Sequence, residues 1–95
     1  MLERDFQAQV IRELKELFPG SIVQKIDSYI QGFPDILILY GDRWAALECK
    51  RSQRERRQPN QEYYVDLLNQ MSFSRFIYPE NKEFIFHELQ RSFES

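Results

Sequence analysis

The sequence predicts an α/β domain, a small mixed sheet of four strands flanked by helices in the order α-β-β-β-α-β-α. Three observations lead there. Segments of helical period alternate with short β-rich runs, the signature of a layered α/β chain. The two strongest apolar runs, DILILY (35–40) and RWAALECK (43–50), are separated only by Gly41-Asp42, a hairpin signal. The length of 95 residues, with 42% hydrophobic, 29% charged and 15% aromatic content, suits one domain with one modest core filled by large rings.

Residues 3–18 read as the first helix, because Phe6, Val10, Leu14 and Leu17 recur at helical spacing and Pro19-Gly20 stops the run. Arg12, Glu13, Lys15 and Glu16 form its solvated side. Residues 21–27 form a short first strand, and 28–34 a loop punctuated by Gly32 and Pro34. The hairpin strands 35–40 and 43–50 follow. Residues 51–58 are a charged loop, and Pro59 suits the first turn of a second helix over 59–72 with a stripe of Tyr64, Val65, Leu68 and Met71. Residues 74–79 read as a fourth strand, and Asn81 caps a final helix to about residue 93, although Phe84-Ile85-Phe86 also fits a strand.

Composition excludes several classes. A single cysteine, Cys49, permits no intramolecular disulfide, and with one histidine it argues against a structural zinc site. Neither a secretory leader nor an apolar run of membrane-spanning length is expected, so the reading is a cytoplasmic protein in a reducing compartment with no membrane partner. The net charge of −2 carries no global nucleic-acid signature, so any such partner depends on local basic clustering.

The hairpin holds three charges where apolar residues are expected. Asp35 follows Pro34 at the start of one strand, and Glu48 and Lys50, two apart on the next, share a face while Cys49 points into packing. Pairing across Gly41-Asp42 brings Asp35 near Lys50 or just beyond, so Asp35 and Glu48 converge at one sheet edge. Two adjacent carboxylates repel unless a cation lies between them. Mg²⁺ favours a few carboxylates, waters and phosphate oxygens, and the Cys49 backbone carbonyl is a further candidate ligand. Lys50 at the rim is suited to orient or deprotonate water, or to stabilise charge on a phosphoryl group. The competing structural reading is a salt-bridge cluster, Lys50 with Glu48 and Asp35 capping the loop.

Pro34-Asp35, twelve intervening residues, then Glu48-Cys49-Lys50 resembles the PD-(D/E)xK nuclease signature, and the predicted element order resembles that superfamily's core. Within it the chain looks most like the small stand-alone VRR-Nuc type of phages and their bacterial hosts, over nearly its whole length. The resemblance implies a restriction-endonuclease-like fold and a Mg²⁺- or Mn²⁺-dependent DNA endonuclease leaving a 5′-phosphate and a 3′-hydroxyl. It implies no organic cofactor. It also implies a helix-borne acid and a Gln beside the Lys. Glu3 is the candidate acid, since Glu3 and Gln7 continue the inward stripe of the first helix whereas Glu13 points elsewhere. The alternative leaves Glu3 in solvent at a frayed terminus. Gln61 is the candidate Gln, on the stripe of Tyr64, Val65 and Leu68.

KRSQRERR (50–57) is locally basic, and Arg51, Arg54, Arg56 and Arg57 are candidate phosphate contacts. Lys25 is a further DNA-binding candidate; Tyr29 and Gln31 are weaker ones. Arg43 reads as a turn residue and His87 as surface. No sequence-reading motif is present, and the resemblance implies duplex or branched DNA, including four-way junctions, as the partner. The resemblance implies a homodimer, for which Phe73, Phe76, Tyr78 and Phe93 are interface or core candidates. A non-catalytic DNA- or protein-binding module is the alternative function.

Overall fold

The computed structural model describes residues 1–94. Its elements are α1 (Glu3–Leu17), β1 (Ile22–Lys25), β2 (Ile36–Tyr40), β3 (Arg43–Cys49), α2 (Gln61–Met71), β4 (Phe73–Ile77) and α3 (Lys82–Glu94). The four strands lie in the order β1-β2-β3-β4, antiparallel for the first two pairings and parallel for the last. The architecture is therefore the α/β layered domain with a mixed sheet that the sequence predicts. The parallel pair β3–β4 needs a long connection, and α2 supplies it.

The hairpin turn sets the register on which the site depends. Gly41 holds φ +62°, a conformation free of penalty only for glycine, and the two-residue turn pairs Tyr40 with Arg43. Pairing then runs back to Ile36 opposite Leu47.

Side chains alternate across the pleat. One face carries Val23, Ile36, Ile38, Ala45, Leu47, Cys49, Phe73 and Ile77, buried under Phe6, Val10 and Leu14 of α1 and Ile85, Phe86 and Leu89 of α3. Phe18 and Phe93 lie 5.1 Å apart between their centroids and close one end of this core. The other face is covered by α2 only over β3 and β4. On β1 and β2 it stays open, leaving Ile22 54% and Leu39 40% exposed.

Several boundaries differ from expectation for local reasons. Pro59 precedes α2 instead of opening it, because Asn60 takes the left-handed conformation at φ 70° and the helix begins at Gln61. Met71 turns outward, 64% exposed, so the α2 stripe rests on Val65 and Leu68. Asn81 precedes α3, but its side chain accepts from the Tyr78 N–H and donates to the Phe76 carbonyl, pinning the end of β4 instead of capping helical N–H groups. Residues 84–86 are helical. Phe73 and Phe76 are buried and Phe93 packs on Phe18 and Tyr40, so these rings are core rather than interface.

Glu13 and Lys82 tie α1 to α3 through a 2.6 Å ion pair whose side chains are 27% and 13% exposed. Partial burial works against the Glu13 carboxylate, yet the Lys82 hydrogen bond and charge hold its carboxyl below the ordinary value of 4.5. A depressed folded value gives stability that is present above the unfolded one and is lost as pH falls through the folded one. Lys82→Met is expected to cost about 1 kcal/mol at pH 7 in urea unfolding, with the gap to wild type closing as pH falls below 4.5. Equal stability at pH 7 would show that the pair does not stabilise the fold.

Candidate active site

Asp35 sits one residue before β2, held by its own backbone. Its N–H donates to the Leu47 carbonyl at 3.1 Å, and its carbonyl accepts from the Ile26 N–H at 2.6 Å. Extending the register by one step places Asp35 opposite Glu48, not Lys50. Asp35 Oδ2 accepts from the Cys49 N–H at 3.0 Å, which fixes the carboxylate against the end of β3. The sequence expectation that Asp35 and Glu48 converge therefore holds, with the register shifted by two residues.

Glu48 is 2% exposed. Its Oε2 accepts from Gln61 Nε2 at 3.1 Å, while its Oε1 is buried with no hydrogen-bond partner. Asp35 is close enough to share a proton with it. Unless one of the pair holds that proton, both are acceptors and Oε1 has no donor. Burial first, then the charge and hydrogen bond of Asp35, push the Glu48 carboxyl up to about 9 against a partial counterweight from Lys50. The same surroundings push the buried Cys49 thiol up, burial again acting first and Asp35 second. Cys49 is a packing residue here.

Lys50 is 3% exposed. Its ammonium donates to the Arg56 carbonyl at 3.2 Å and lies 3.7 Å from Glu55 Oε2. The salt bridge is thus made with Glu55, not with Glu48 as the structural reading of the sequence has it. Glu3, on the first turn of α1, is half-buried beside this group. Its carboxyl is raised to about 7 by burial, a hydrogen bond with Glu55, and the charges of Glu55 and Asp35, with Lys50 opposing. Glu13 faces Lys82 at the other end of the helix. The inward stripe of α1 accordingly brings Glu3, and not Glu13, to the end of the sheet where Asp35, Glu48 and Lys50 meet.

Gln61 reaches the site but touches Glu48 rather than Lys50. Its other amide atom, Oε1, accepts from the Gln58 N–H at 2.7 Å, so the residue ties the loop 51–58 to the acid pair.

That loop is less free than its sequence suggests. Arg57 bonds Glu62 at 3.1 Å and stacks 3.8 Å from the centroid of Phe76. Arg51 bonds Glu55. Arg54 and Arg56 have exposed side chains. Lys25 ends β1 and is exposed, and Tyr29, Gln31 and His87 are exposed as well. Arg43 donates to the Ser92 carbonyl at 2.9 Å, a turn residue anchoring α3.

Sequence reasoning passed over Glu55, because a run of four arginines and a lysine reads as uniformly basic. An acid embedded in a basic run is the available signal.

Among the described residues, no three or more His, Cys, Asp and Glu side chains form a ready-made metal cage. The acids come as two pairs, Asp35 with Glu48 and Glu3 with Glu55. The Asp35–Glu48 pair nonetheless suits a hard divalent cation. Its donors are carboxylate oxygens, and one of them is buried without a donor, a costly state that a cation relieves. No family model matches the chain, and neither curated proteins nor solved structures give a match. No helix among the described residues is long and apolar enough to cross a membrane.

Proposed function

We propose that this protein is a metal-dependent DNA endonuclease that hydrolyses phosphodiester bonds, built on a restriction-endonuclease-like core of the VRR-Nuc type. The observation that carries the reading is the pairing of Asp35 with a buried Glu48 whose Oε1 lacks a partner, two residues from a buried lysine. A fold stabilised for its own sake gains nothing from burying one carboxyl group against a second.

Asp35 and Glu48 would hold a Mg²⁺ or Mn²⁺, with Glu3 as a further acid and the Cys49 carbonyl as a neutral oxygen donor. When bound, that ion supplies charge neutralisation at the phosphate and acidifies water. The protein's own groups do the rest. Lys50 orients the attacking water or stabilises charge on the phosphate oxygens. Gln61, bonded to Glu48 Oε2, fixes the acid's orientation and leaves Oε1 as the oxygen without a hydrogen bond. The Cys49 N–H does the same for Asp35. Arg54 and Arg56, exposed at the rim, are placed to meet the phosphate backbone by electrostatic contact without reading bases.

One domain of this size covers little DNA, and a homodimer would set two sites on a duplex or a branched junction. The open half-face of the sheet, with Ile22 and Leu39, is the apolar surface available for it, and sedimentation gives the mass.

The division of the acids into two pairs, Asp35 with Glu48 and Glu3 with Glu55, favours one rival reading, a DNA- or protein-binding module without turnover. One experiment separates the two. Supercoiled plasmid, linear duplex and a synthetic four-way junction are incubated with Mg²⁺, Mn²⁺ or EDTA. The expected result is cutting only with the cation, reduced at least about 100-fold in Lys50→Ala, in line with loss of a group acting on the transition state. Tight binding with no cutting under any cation would establish the binding module.

A further inference from the structure

The Glu55 carboxylate has an unusual set of partners for a loop acid. Its Oε1 accepts from the Arg51 backbone N–H at 2.6 Å and from Arg51 Nε at 3.3 Å. Its Oε2 lies 3.7 Å from Lys50 Nζ. A backbone N–H, a guanidinium edge and an ammonium converging on one anion are the donors that ordinarily receive a phosphate oxygen. Only 18% of the Glu55 side chain is exposed, so the carboxylate fills this position rather than hovering over it. Beside it lies an open hollow lined by Leu2, Glu3, Arg4, Arg51 and Glu55, which connects the position to solvent.

The arrangement works against the proposed function as it stands. Lys50 and Arg51 are cations beside the acid cluster, and one internal anion, Glu55, engages both. Glu55 also brings a negative charge beside Glu3, which it meets through a shared hydrogen bond. Burial opposes the Glu55 carboxylate, yet the Arg51 N–H and its other partners keep its carboxyl below the ordinary value, so it remains an anion at neutral pH. The loop has no regular secondary structure between Lys50 and Asn60, and its side-chain anchors to the body are Lys50 on the Arg56 carbonyl, Gln61 on Gln58, Glu80 on the Gln53 N–H, and Arg57 on Glu62 and Phe76.

We infer that Lys50, the Arg51 N–H and the Arg51 guanidinium form a subsite for a phosphate of the nucleic-acid backbone, and that Glu55 occupies it as an internal stand-in which the substrate displaces. The inference rests on the nucleic-acid reading above and adds a specific subsite and an internal competitor to it. It yields a result opposite to that expected of a working acid. Removing Glu55 strengthens binding, because the substrate no longer competes with a tethered carboxylate.

The test measures fluorescence anisotropy of labelled duplex and four-way-junction DNA with wild type, Glu55→Gln and Glu55→Ala, in EDTA and again in Ca²⁺, across a salt series. Thermal melting confirms that each variant folds. The expected result is binding about five- to tenfold tighter in Glu55→Ala, with Glu55→Gln between, and a log–log salt slope steeper by roughly 0.9, the increment of one more phosphate contact on duplex DNA. Measurable wild-type binding that is unchanged or weakened in both variants would overturn the inference and leave the nuclease reading intact. Absence of binding by all three proteins would overturn both. If Glu55→Ala fails to fold, the Gln variant, which keeps the shape and loses the charge, decides the matter by the same criteria.

Discussion

Replacing Glu48 by Gln is expected to abolish DNA cleavage while making the cation-free protein more stable. The side chain is 2% exposed and faces Asp35, with Lys50 and Glu3 as the other charges that act on it. Its carboxyl is pushed from 4.5 up to about 9, by burial first and by Asp35 second. A raised folded value gives stability that is fully present below the unfolded value and is lost as pH rises through the folded one. In EDTA the wild-type protein should therefore lose stability between about pH 4.5 and pH 9, as Glu48 is driven toward its charged form. The amide variant has no such charge, can still accept from Gln61, and gains an N–H to offer Asp35. At pH 8 it is expected to exceed wild type by at least about 2 kcal/mol in urea unfolding, each unit of pKa being worth about 1.4 kcal/mol, with the difference shrinking toward pH 5. Cleavage assays on the same samples should show no cutting above background. A variant that cuts normally but is less stable would assign Glu48 to structure.

Gly32→Ala is expected to be the most damaging change outside the charged cluster. Gly32 holds φ +87°, and an added Cβ would lie 2.6 Å from the backbone carbon of Asn60 and 2.8 Å from the Pro59 oxygen. Neither is the far end of a flexible side chain, so backbone must move. The loop ahead of Asp35 and the turn ahead of Gln61 are thus in direct contact, and the rings of Phe33 and Tyr64, 5.7 Å apart, reinforce the junction. The left-handed conformation alone costs a non-glycine residue about 1–2 kcal/mol, and the clash should bring the total to roughly 3 kcal/mol. Cleavage should fall as well, because the displaced turn carries the residue that orients Glu48. Gly20→Ala is the control: it has φ +89° but nothing within 4 Å of the new Cβ, so only the conformational cost applies. Equal losses in the two variants would show that the close approach is unimportant.

The convergence of Asp35 and Glu48 was legible because a two-residue turn leaves little freedom in a hairpin. Once Tyr40 pairs with Arg43, counting back along both strands leads to Asp35 opposite Glu48. Reading the register two residues further on misplaced Asp35 beside Lys50, whose true partner, Glu55, lies in a loop. Helical period was equally informative for Glu3, since Phe6, Val10 and Leu14 bury one face and Glu3 continues it. The loop was illegible for a physical reason. Charge summed along KRSQRERR describes an extended segment in solvent, whereas the chain folds back so that Glu55 meets Lys50 and Arg51, and Arg57 turns to Phe76. Contacts of that kind depend on backbone turns that no periodicity announces. The left-handed Asn60 belongs to the same class, because its conformation is tied to the proximity of Gly32, a residue in another loop. Met71 was assigned to the buried stripe of α2 by spacing alone, but the helix ends there and its last turn overhangs the sheet.

The proposed endonuclease needs Asp35 and the buried Glu48 to hold its catalytic cation. The most direct test is titration of the metal-free protein with Mn²⁺, followed by electron paramagnetic resonance, in wild type, Asp35→Asn and Glu48→Gln. Mn²⁺ is expected to bind wild type in one or two sites, to be displaced by Mg²⁺, and to be lost or weakened at least tenfold in both variants while all three proteins remain folded. Mn²⁺ binding that is absent from wild type at millimolar concentration, or that persists unchanged in Asp35→Asn, would contradict the proposal.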